Sequence, residues 1–131
     1  MKYALLLRHD TINHPSSRTA YHFAETLLKM GHEISCVFLT HHAVSLASTL
    51  PTLPRDEIIY SQKWLDLAQK YHFELIACSS SAIARGVLNK EQAIMLEPSP
   101  AENLKPGYQL GGLGYFVSVC AQSDRVMTFG G

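Results

Sequence analysis

The sequence lacks the features that several large functional classes require. Its 131 residues carry eleven basic and eleven acidic side chains, which gives a formal net charge of zero. No cluster of Lys and Arg longer than a pair occurs, so the basic surface of a nucleic-acid-binding protein is not expected. The apolar run at 3–7 is too short to span a membrane and has no signal-peptide cleavage region. The sequence therefore predicts a cytoplasmic chain that binds neither nucleic acid directly nor a membrane.

Cysteine is also scarce, and its spacing points to neither disulfides nor a metal site. The three cysteines, Cys36, Cys78 and Cys120, are an odd number at wide spacings, which does not fit a disulfide framework. No CxxC pair or other metal-ligand spacing occurs. We expect free thiols in a reducing compartment, and neither a metal ion nor a cofactor.

Histidine is the residue that most invites a metal or general-base interpretation, because seven are present. His41 and His42 are adjacent, so they point to opposite faces of a strand or lie well apart on a helix, and one metal ion is not easily held by both. His9 and His14 follow the first predicted strand, where they could reach the Cys78 region. The favoured interpretation of this second pair is nevertheless two solvated loop histidines.

What the sequence does contain is an alternation of short apolar runs and amphipathic segments. Continuous apolar runs of strand length, typical of strands buried on both faces, occur at 2–8, 33–39, 73–77 and 125–129. Apolar side chains three and four residues apart predict helices at 17–30, 41–50, 57–71, 79–86 and from Leu110 to Val117. Asn89 and Gln92 form a capping-box pattern that predicts a further helix start. Loops are predicted at 51–54 and 98–109.

No tight hairpin signal separates the predicted strands, so they are expected to pair in parallel through right-handed crossovers. The predicted fold is one domain over 1–131, a three-layer α/β/α sandwich with a mainly parallel sheet of four to five strands. In such sheets the functional crevice lies beyond the carboxyl ends of the strands. This rule selects the loops after Leu7, Leu39 and Ala77, and the third of these begins with Cys78.

The stretch ELIACSSSAIARGV at 74–87 places Cys78 where a strand passes into a helix. The free N–H groups of the first helical turn and the positive end of the helix dipole favour a thiolate there. Arg85 adds positive charge if its side chain folds back. The alternative is that Cys78 is a small buried packing residue, and position alone does not choose between the two. Cys36, in mid-strand, and Cys120, late in an apolar helix, are interpreted as packing residues.

The spacing around Cys78 argues against other cysteine enzymes. A cysteine phosphatase separates its Cys and Arg by one residue fewer than the six that lie between Cys78 and Arg85. The stretch GGLG at 111–114 lacks the full GxGxxG pattern of a dinucleotide site, and close helix packing is the preferred interpretation. A Cys-His hydrolase stays open, although no Asn or Asp orienting partner is evident.

Three longer stretches resemble a known family. They are KYALLLRHDTINHPSSRTAYHFAETLLKMGHEISCVFL at 2–39, LIACSSSAIARGV at 75–87 and YQLGGLGYFVSVCAQSDRVMTF at 108–129. Together they resemble the TusD/DsrE sulfurtransferase subunits. The most specific likeness is the cysteine after the third strand, followed by a short helix that ends in Arg-Gly-Val. The Gly-Leu-Gly helix and the closing Asp-Arg-Val strand extend the likeness to the last predicted element.

The resemblance implies a sulfur relay. It assigns Cys78 as the catalytic residue, which carries sulfane sulfur as a persulfide, with Ser79 and Ser80 at the helix start expected to stabilise that group. Transfer between thiols needs a thiolate, access and a partner thiol, but no metal and no cofactor. Likeness to the Tus proteins implies tRNA wobble 2-thiouridine synthesis, and likeness to the Dsr proteins implies sulfur oxidation. A non-catalytic structural or ligand-binding subunit on the same fold is the remaining alternative.

The resemblance also implies partners. The expected assembly is a heterohexamer with TusB- and TusC-like subunits, loaded by a TusA-like sulfur donor and discharged to a TusE-like acceptor. Two segments are predicted to supply contacts, the apolar stretch at 43–54 and the long loop at 97–108. In the alternative interpretation both segments cover the core of a monomer.

Overall fold

A five-stranded parallel sheet forms the centre of the fold. The computed structural model describes residues 1–10, 14–51, 58–96, 98 and 100–130. Its strands are β1 (Lys2–Leu7), β2 (Glu33–Leu39), β3 (Glu74–Cys78), β4 (Tyr108–Gly111) and β5 (Arg125–Phe129). They lie in the order β4-β3-β2-β1-β5, and every neighbouring pair is parallel. The predicted sandwich with a mainly parallel sheet is confirmed, and the sheet has five strands.

Helices connect the strands. They are α1 (Ser16–Lys29), a 3₁₀ helix (His41–Ala47), α2 (Tyr60–Tyr71), α3 (Ser79–Ala84), α4 (Lys90–Met95) and α5 (Leu113–Ala121). The chain steps from β1 to β4 in one direction along the sheet, and β5 then pairs with the other side of β1. The helix α5 therefore connects the two opposite edge strands.

The two faces of the sheet carry different cores, because successive side chains of a strand point to opposite faces. On the first face, strand residues such as Leu5, Val37 and Leu75 pack with residues of α1 and α2, among them the fully buried Trp64. The second face holds a smaller cluster, made of Ala4, Cys36, Phe38, Ile76, Cys78 and Phe116. Phe116 is the member of this cluster that α5 supplies.

The strand β4 is missing from the sequence interpretation, which expected a loop to residue 109 and a helix from Leu110. The structure pairs Tyr108 to Gly111 with β3 and starts α5 at Leu113. A four-residue strand that ends in glycine has too little apolar alternation to be recognised locally. Its pairing with β3 is what defines it.

The glycines at 111–114 do not serve the close helix packing predicted for them. Gly114 has no atom within 4 Å of where a Cβ would stand, so nothing packs closely against it. The close contact is instead at Gly111 in β4, where a Cβ would lie 2.6 Å from Cγ2 of Ile76. Glycine is therefore required at residue 111 because β4 lies close to Ile76 of β3, not because of helix packing.

The two segments predicted to contact partners pack largely against each other. Ala43, Val44, Leu46 and Ala47 are buried in the chain's own core, so these residues do not offer a contact surface. Thr49 donates its backbone N–H to Asn103, and Lys105 donates to Ala47. Residues 52–57, 97 and 99 lie outside the described residues. Leu50 is 68% exposed and residues 100–102 are also exposed, so the prediction that these segments contact partners stays a prediction for the exposed residues.

Candidate active site

Cys78 is both the last residue of β3 and the N-cap of α3. Its backbone pairs with Gly111 of the neighbouring strand β4. Its side chain points to the second face, in the cluster that contains Ile76 and Phe116, and the residue is 7% exposed. The thiol is therefore held by a strand and packed from one side, with little direct access to solvent.

The immediate partners of the sulfur are two serines in the first turn of α3. The Sγ atom of Cys78 lies 3.3 Å from the hydroxyl oxygen of Ser80. Burial raises the pKa of the Cys78 thiol, but hydrogen bonds from the hydroxyls and backbone N–H groups of Ser80 and Ser81 lower it, and the net pKa lies below its ordinary value. The arrangement stabilises a thiolate.

Of the two serines predicted beside the sulfur, the structure brings Ser80 into contact. The hydroxyl of Ser80 hydrogen-bonds the sulfur, and Ser81 is close enough to help lower the pKa of the thiol. Sequence reasoning missed Ser81. The signal was available, since an N-cap side chain accepts hydrogen bonds from the second and third helical positions, here Ser80 and Ser81.

Ser81 also connects the site to the end of β2. Its hydroxyl oxygen accepts the backbone N–H of His41 at 3.2 Å and lies 3.3 Å from the hydroxyl of Thr40. His41 has a φ of 52°, in the left-handed region that a residue other than glycine seldom adopts. The loop after β2 is thereby held against the first turn of α3.

Arg85 does fold back, although not onto the sulfur. Its Nη1 atom donates to the backbone oxygen of Ser81 at 3.3 Å, one turn earlier in α3. The lowered pKa of the Cys78 thiol is due to the serine hydrogen bonds rather than to this guanidinium. The charge of Arg85 is thus close to the site without contacting the nucleophile.

His9 and His14 stack on each other, with ring centroids 4.2 Å apart. Nδ1 of His14 lies 2.7 Å from the hydroxyl of Ser16, and His9 packs beside Gly130, after β5. His9 therefore lies toward β5, two strands from β3, without contacting Cys78, but it is close enough to help lower the pKa of His41. Within the described ranges, no group of three or more His, Cys, Asp or Glu side chains is arranged to hold a metal ion.

The thiol pKa values of the other two cysteines are raised instead of lowered. Burial, with the nearby Glu74 and Cys120, raises the pKa of the fully buried Cys36 thiol to about 12. Burial also raises the pKa of Cys120, which is only half-buried. Cys78 is therefore the thiol most easily ionised of the three, whereas Cys120 is the more accessible.

The fold and this cysteine can now be compared with known proteins. Residues 1–129 match the family model described as the DsrE/DsrF-like family. The chain belongs to the DsrE/DsrF-like family. It is 34% identical over 130 residues to the putative sulfurtransferase DsrE of Allochromatium vinosum, covering 99% of both chains. It is 33% identical over 129 residues to the sulfurtransferase TusD of Serratia proteamaculans, covering 98% of this chain and 99% of the relative.

Two further comparisons agree with the family. The chain is 34% identical over 127 residues to a TusD homolog of Aliivibrio fischeri, covering 97% of each. The crystal structure of the YchN protein from E. coli matches with a TM-score of 0.71 at 17% identity, covering 98% of this chain and 100% of that one. At this identity the second match supports the DsrE-like fold alone. The resemblance to TusD and DsrE proteins is confirmed.

No helix in the described part of this DsrE/DsrF-like chain is long and apolar enough to cross a membrane.

The three thiols of this DsrE/DsrF-like chain are expected to separate by pH in an alkylation experiment. With iodoacetamide at about pH 7, Cys78 should label faster than Cys120, because its lowered pKa gives a larger thiolate fraction. As the pH rises toward about 9.5 the advantage should shrink, because Cys120 ionises and is more accessible. Peptide mass spectrometry measures each rate, and the buried Cys36 serves as the slow reference. Slower labelling of Cys78 near neutrality, or a ratio independent of pH, would contradict the lowered pKa.

Proposed function

We propose that this chain is the subunit of a sulfur relay that accepts sulfane sulfur on Cys78 as a persulfide and passes it to a cysteine of a partner protein. The observation that carries the proposal is the thiol with a lowered pKa, hydrogen-bonded by Ser80 and Ser81 at the carboxyl end of a strand. Relatives matched over nearly the full chain are named sulfurtransferases, which supports a sulfur-transfer role.

The proposed reaction has two displacements. In the first, the Cys78 thiolate attacks the outer sulfur of a donor persulfide, a new S–S bond forms, and the donor cysteine leaves as a thiolate. In the second, an acceptor thiolate attacks the outer sulfur now carried on Cys78, and Cys78 leaves as a thiolate. The sulfur changes carrier without net oxidation or reduction, so no electron-transfer cofactor is needed.

The environment of Cys78 suits both steps. A lowered thiol pKa increases the attacking fraction near neutral pH and also makes Cys78 a better leaving group. The hydroxyl and N–H groups of Ser80 and Ser81 that stabilise the thiolate are proposed to stabilise a persulfide anion as well. The apolar neighbours Ile76 and Phe116 keep water away from one side of the sulfur.

The proposed destination is the wobble 2-thiouridine of tRNA, and support comes from the resemblance to TusD. The proposed partners are TusB- and TusC-like subunits, a TusA-like donor and a TusE-like acceptor. The helix α5 exposes Leu113 and Val117, which lie one turn apart on the same side and form an apolar surface suited to a subunit contact. The alternative destination is a sulfur-oxidation relay, which rests on the resemblance to DsrE proteins and is not favoured over the first.

Loading of Cys78 is tested directly by mass. After incubation with a cysteine desulfurase, cysteine and a TusA-like carrier, the Cys78 peptide should gain one sulfur, about 32 Da, and dithiothreitol should remove it. The Cys120 peptide of the same sample is the internal control. Absence of the adduct, or equal loading of Cys120, would overturn the persulfide proposal.

The destination is tested in the cell. Deleting the gene should abolish 2-thiouridine in tRNA if the tRNA proposal is right, and restoring the chain should return it. Unchanged 2-thiouridine together with a defect in sulfur oxidation would select the alternative destination.

A further inference from the structure

Two arginines and three histidines lie in the loops and helix end at the edge of the sheet where Cys78 lies. Arg8 and His9 follow β1, His41 and His42 follow β2, and Arg85 ends α3. We call these five residues the basic rim. They come from three separate parts of the chain, so no run in the sequence reveals them.

The contacts of Ser81 connect part of the rim to the nucleophile. Ser81, which helps lower the pKa of the Cys78 thiol, accepts the backbone N–H of His41 on its hydroxyl at 3.2 Å and Nη1 of Arg85 on its backbone oxygen at 3.3 Å. Two members of the rim therefore contact a residue that itself acts on the reacting sulfur.

The rim residues also influence one another. Thr40 donates its backbone N–H to Leu7 at 2.9 Å, which holds the ends of β1 and β2 side by side. The pKa of His41 is lowered by desolvation and then by the charges of Arg8, Arg85, His42 and His9, so all four lie close enough to act on it. Arg8 is two strands from β3, roughly 10 Å at the usual strand spacing.

Carboxylates are concentrated at the other edge. Glu33 and Glu74 begin β2 and β3, and Asp124 precedes β5. In the segments that supply the rim, 8–10, 40–42 and 79–86, Asp10 is the single carboxylate. The ion pair between Lys29 and Glu25 lies on α1 and involves neither Arg8 nor Arg85. A chain with no net charge thus carries two arginine charges, Arg8 and Arg85, on the edge of the sheet that holds its nucleophile.

We infer that the basic rim docks an acidic segment of the partner protein, next to the cysteine that exchanges sulfur with Cys78. This inference rests on the proposed function for the identity of the partner, but the rim itself does not. The rim has little effect on the thiol, whose pKa is set by burial and serine hydrogen bonds. Its effect falls on the approaching chain, since charges about one Debye length away, roughly 8 Å at physiological salt, steer association. A basic segment is disfavoured for the same reason.

Three synthetic peptides test the inference without any sulfur donor. Each carries one cysteine, flanked by glutamates, by lysines or by serines, and activated as a disulfide with thiopyridine. The Cys78 thiolate attacks the peptide sulfur, the Cys78–peptide disulfide forms, and pyridinethiolate leaves, takes up a proton and absorbs as thiopyridone. Rates of the Cys78→Ser variant are subtracted to remove the reactions of Cys36 and Cys120.

The decisive comparison is between two double variants that each remove two positive charges. Arg8→Gln with Arg85→Gln neutralises the rim, whereas Lys70→Gln with Arg125→Gln neutralises the opposite edge. At about 10 mM salt, where screening is weak, neutralising the rim should lower the ratio of acidic-peptide to basic-peptide rates roughly tenfold. The control variant should leave the ratio unchanged within about twofold, and about 0.5 M salt should reduce the wild-type ratio toward one.

The serine peptide distinguishes a loss of charge attraction from a structural change around Cys78. If Arg85→Gln displaces Ser81, all three rates change together and the ratio does not. A ratio that neutralising the rim leaves unchanged, or that both double variants lower equally, would overturn the inference. Because the experiment contains no persulfide, this failure is distinct from a failure of the sulfur-loading experiment, which would instead overturn the proposed function.

Discussion

Replacing Cys78 by serine is expected to abolish sulfur loading and transfer while the chain stays folded. Serine keeps nearly the same volume and can still hydrogen-bond Ser80, but an alcohol does not ionise near neutral pH and does not form a persulfide. The free energy of unfolding should change by no more than about 1–2 kcal/mol. Transfer is measured with a radiolabelled sulfur donor, and stability by urea denaturation.

Cys120→Ser is the matched control, because Cys120 is the more exposed thiol and packs beside the same cluster. It should retain transfer. Loss of transfer in Cys120→Ser, or transfer that persists in Cys78→Ser, would place the nucleophile elsewhere.

Replacing Phe116 by alanine is expected to destabilise the second face of the sheet strongly. Phe116 is 6% exposed and stacks on Phe38 with ring centroids 4.6 Å apart. Removing such a buried ring costs about 3–5 kcal/mol and leaves a cavity. Since Cys78 belongs to the same cluster, its alkylation by iodoacetamide should also become faster. Urea denaturation measures the first effect and peptide mass spectrometry the second.

Val117→Ala is the control that tests whether the loss of stability in Phe116→Ala comes from removing a buried side chain rather than from any substitution in α5. Val117 is the next residue of α5 but is 60% exposed, so its loss should change stability by about 0.5 kcal/mol or less. Equal destabilisation by the two variants would show that Phe116 does not hold α5 on the sheet.

Features with a local cause could be predicted from the sequence. The strand at 33–39 has the predicted bounds, because an apolar run between polar ends needs no tertiary information. The capping box of Asn89 and Gln92 is confirmed, with the side chain of each hydrogen-bonded to the backbone N–H of the other. The transition from strand to helix at Cys78 is likewise where the sequence changes from apolar residues to serines.

Features that depend on residues far apart in the sequence could not be predicted. Gly111 belongs to a strand because it pairs with β3. It has to lack a side chain because Ile76, which is far away in the sequence, occupies the space where a Cβ would lie. Ser81 joins the site partly through His41, on another loop whose left-handed backbone no local pattern indicates. The basic rim could not be predicted either, because the positive and negative charges of the whole chain cancel and are separated only in the folded structure.

The placement of Cys78 in the sheet determines how far a partner thiol would have to reach in the proposed sulfur exchange. Its backbone is fixed by pairing with Gly111, and its own sulfur belongs to a residue only 7% exposed, so it cannot swing out to meet another thiol. An incoming donor must therefore bring a mobile arm and bear the entropy of ordering it. A second sulfur attached to Cys78 would extend about 2 Å beyond the first, the length of an S–S bond. In both proposed steps the transferred sulfur lies between Cys78 and the partner cysteine, so donor and acceptor alike need a cysteine on a segment narrow enough to reach the carboxyl end of β3.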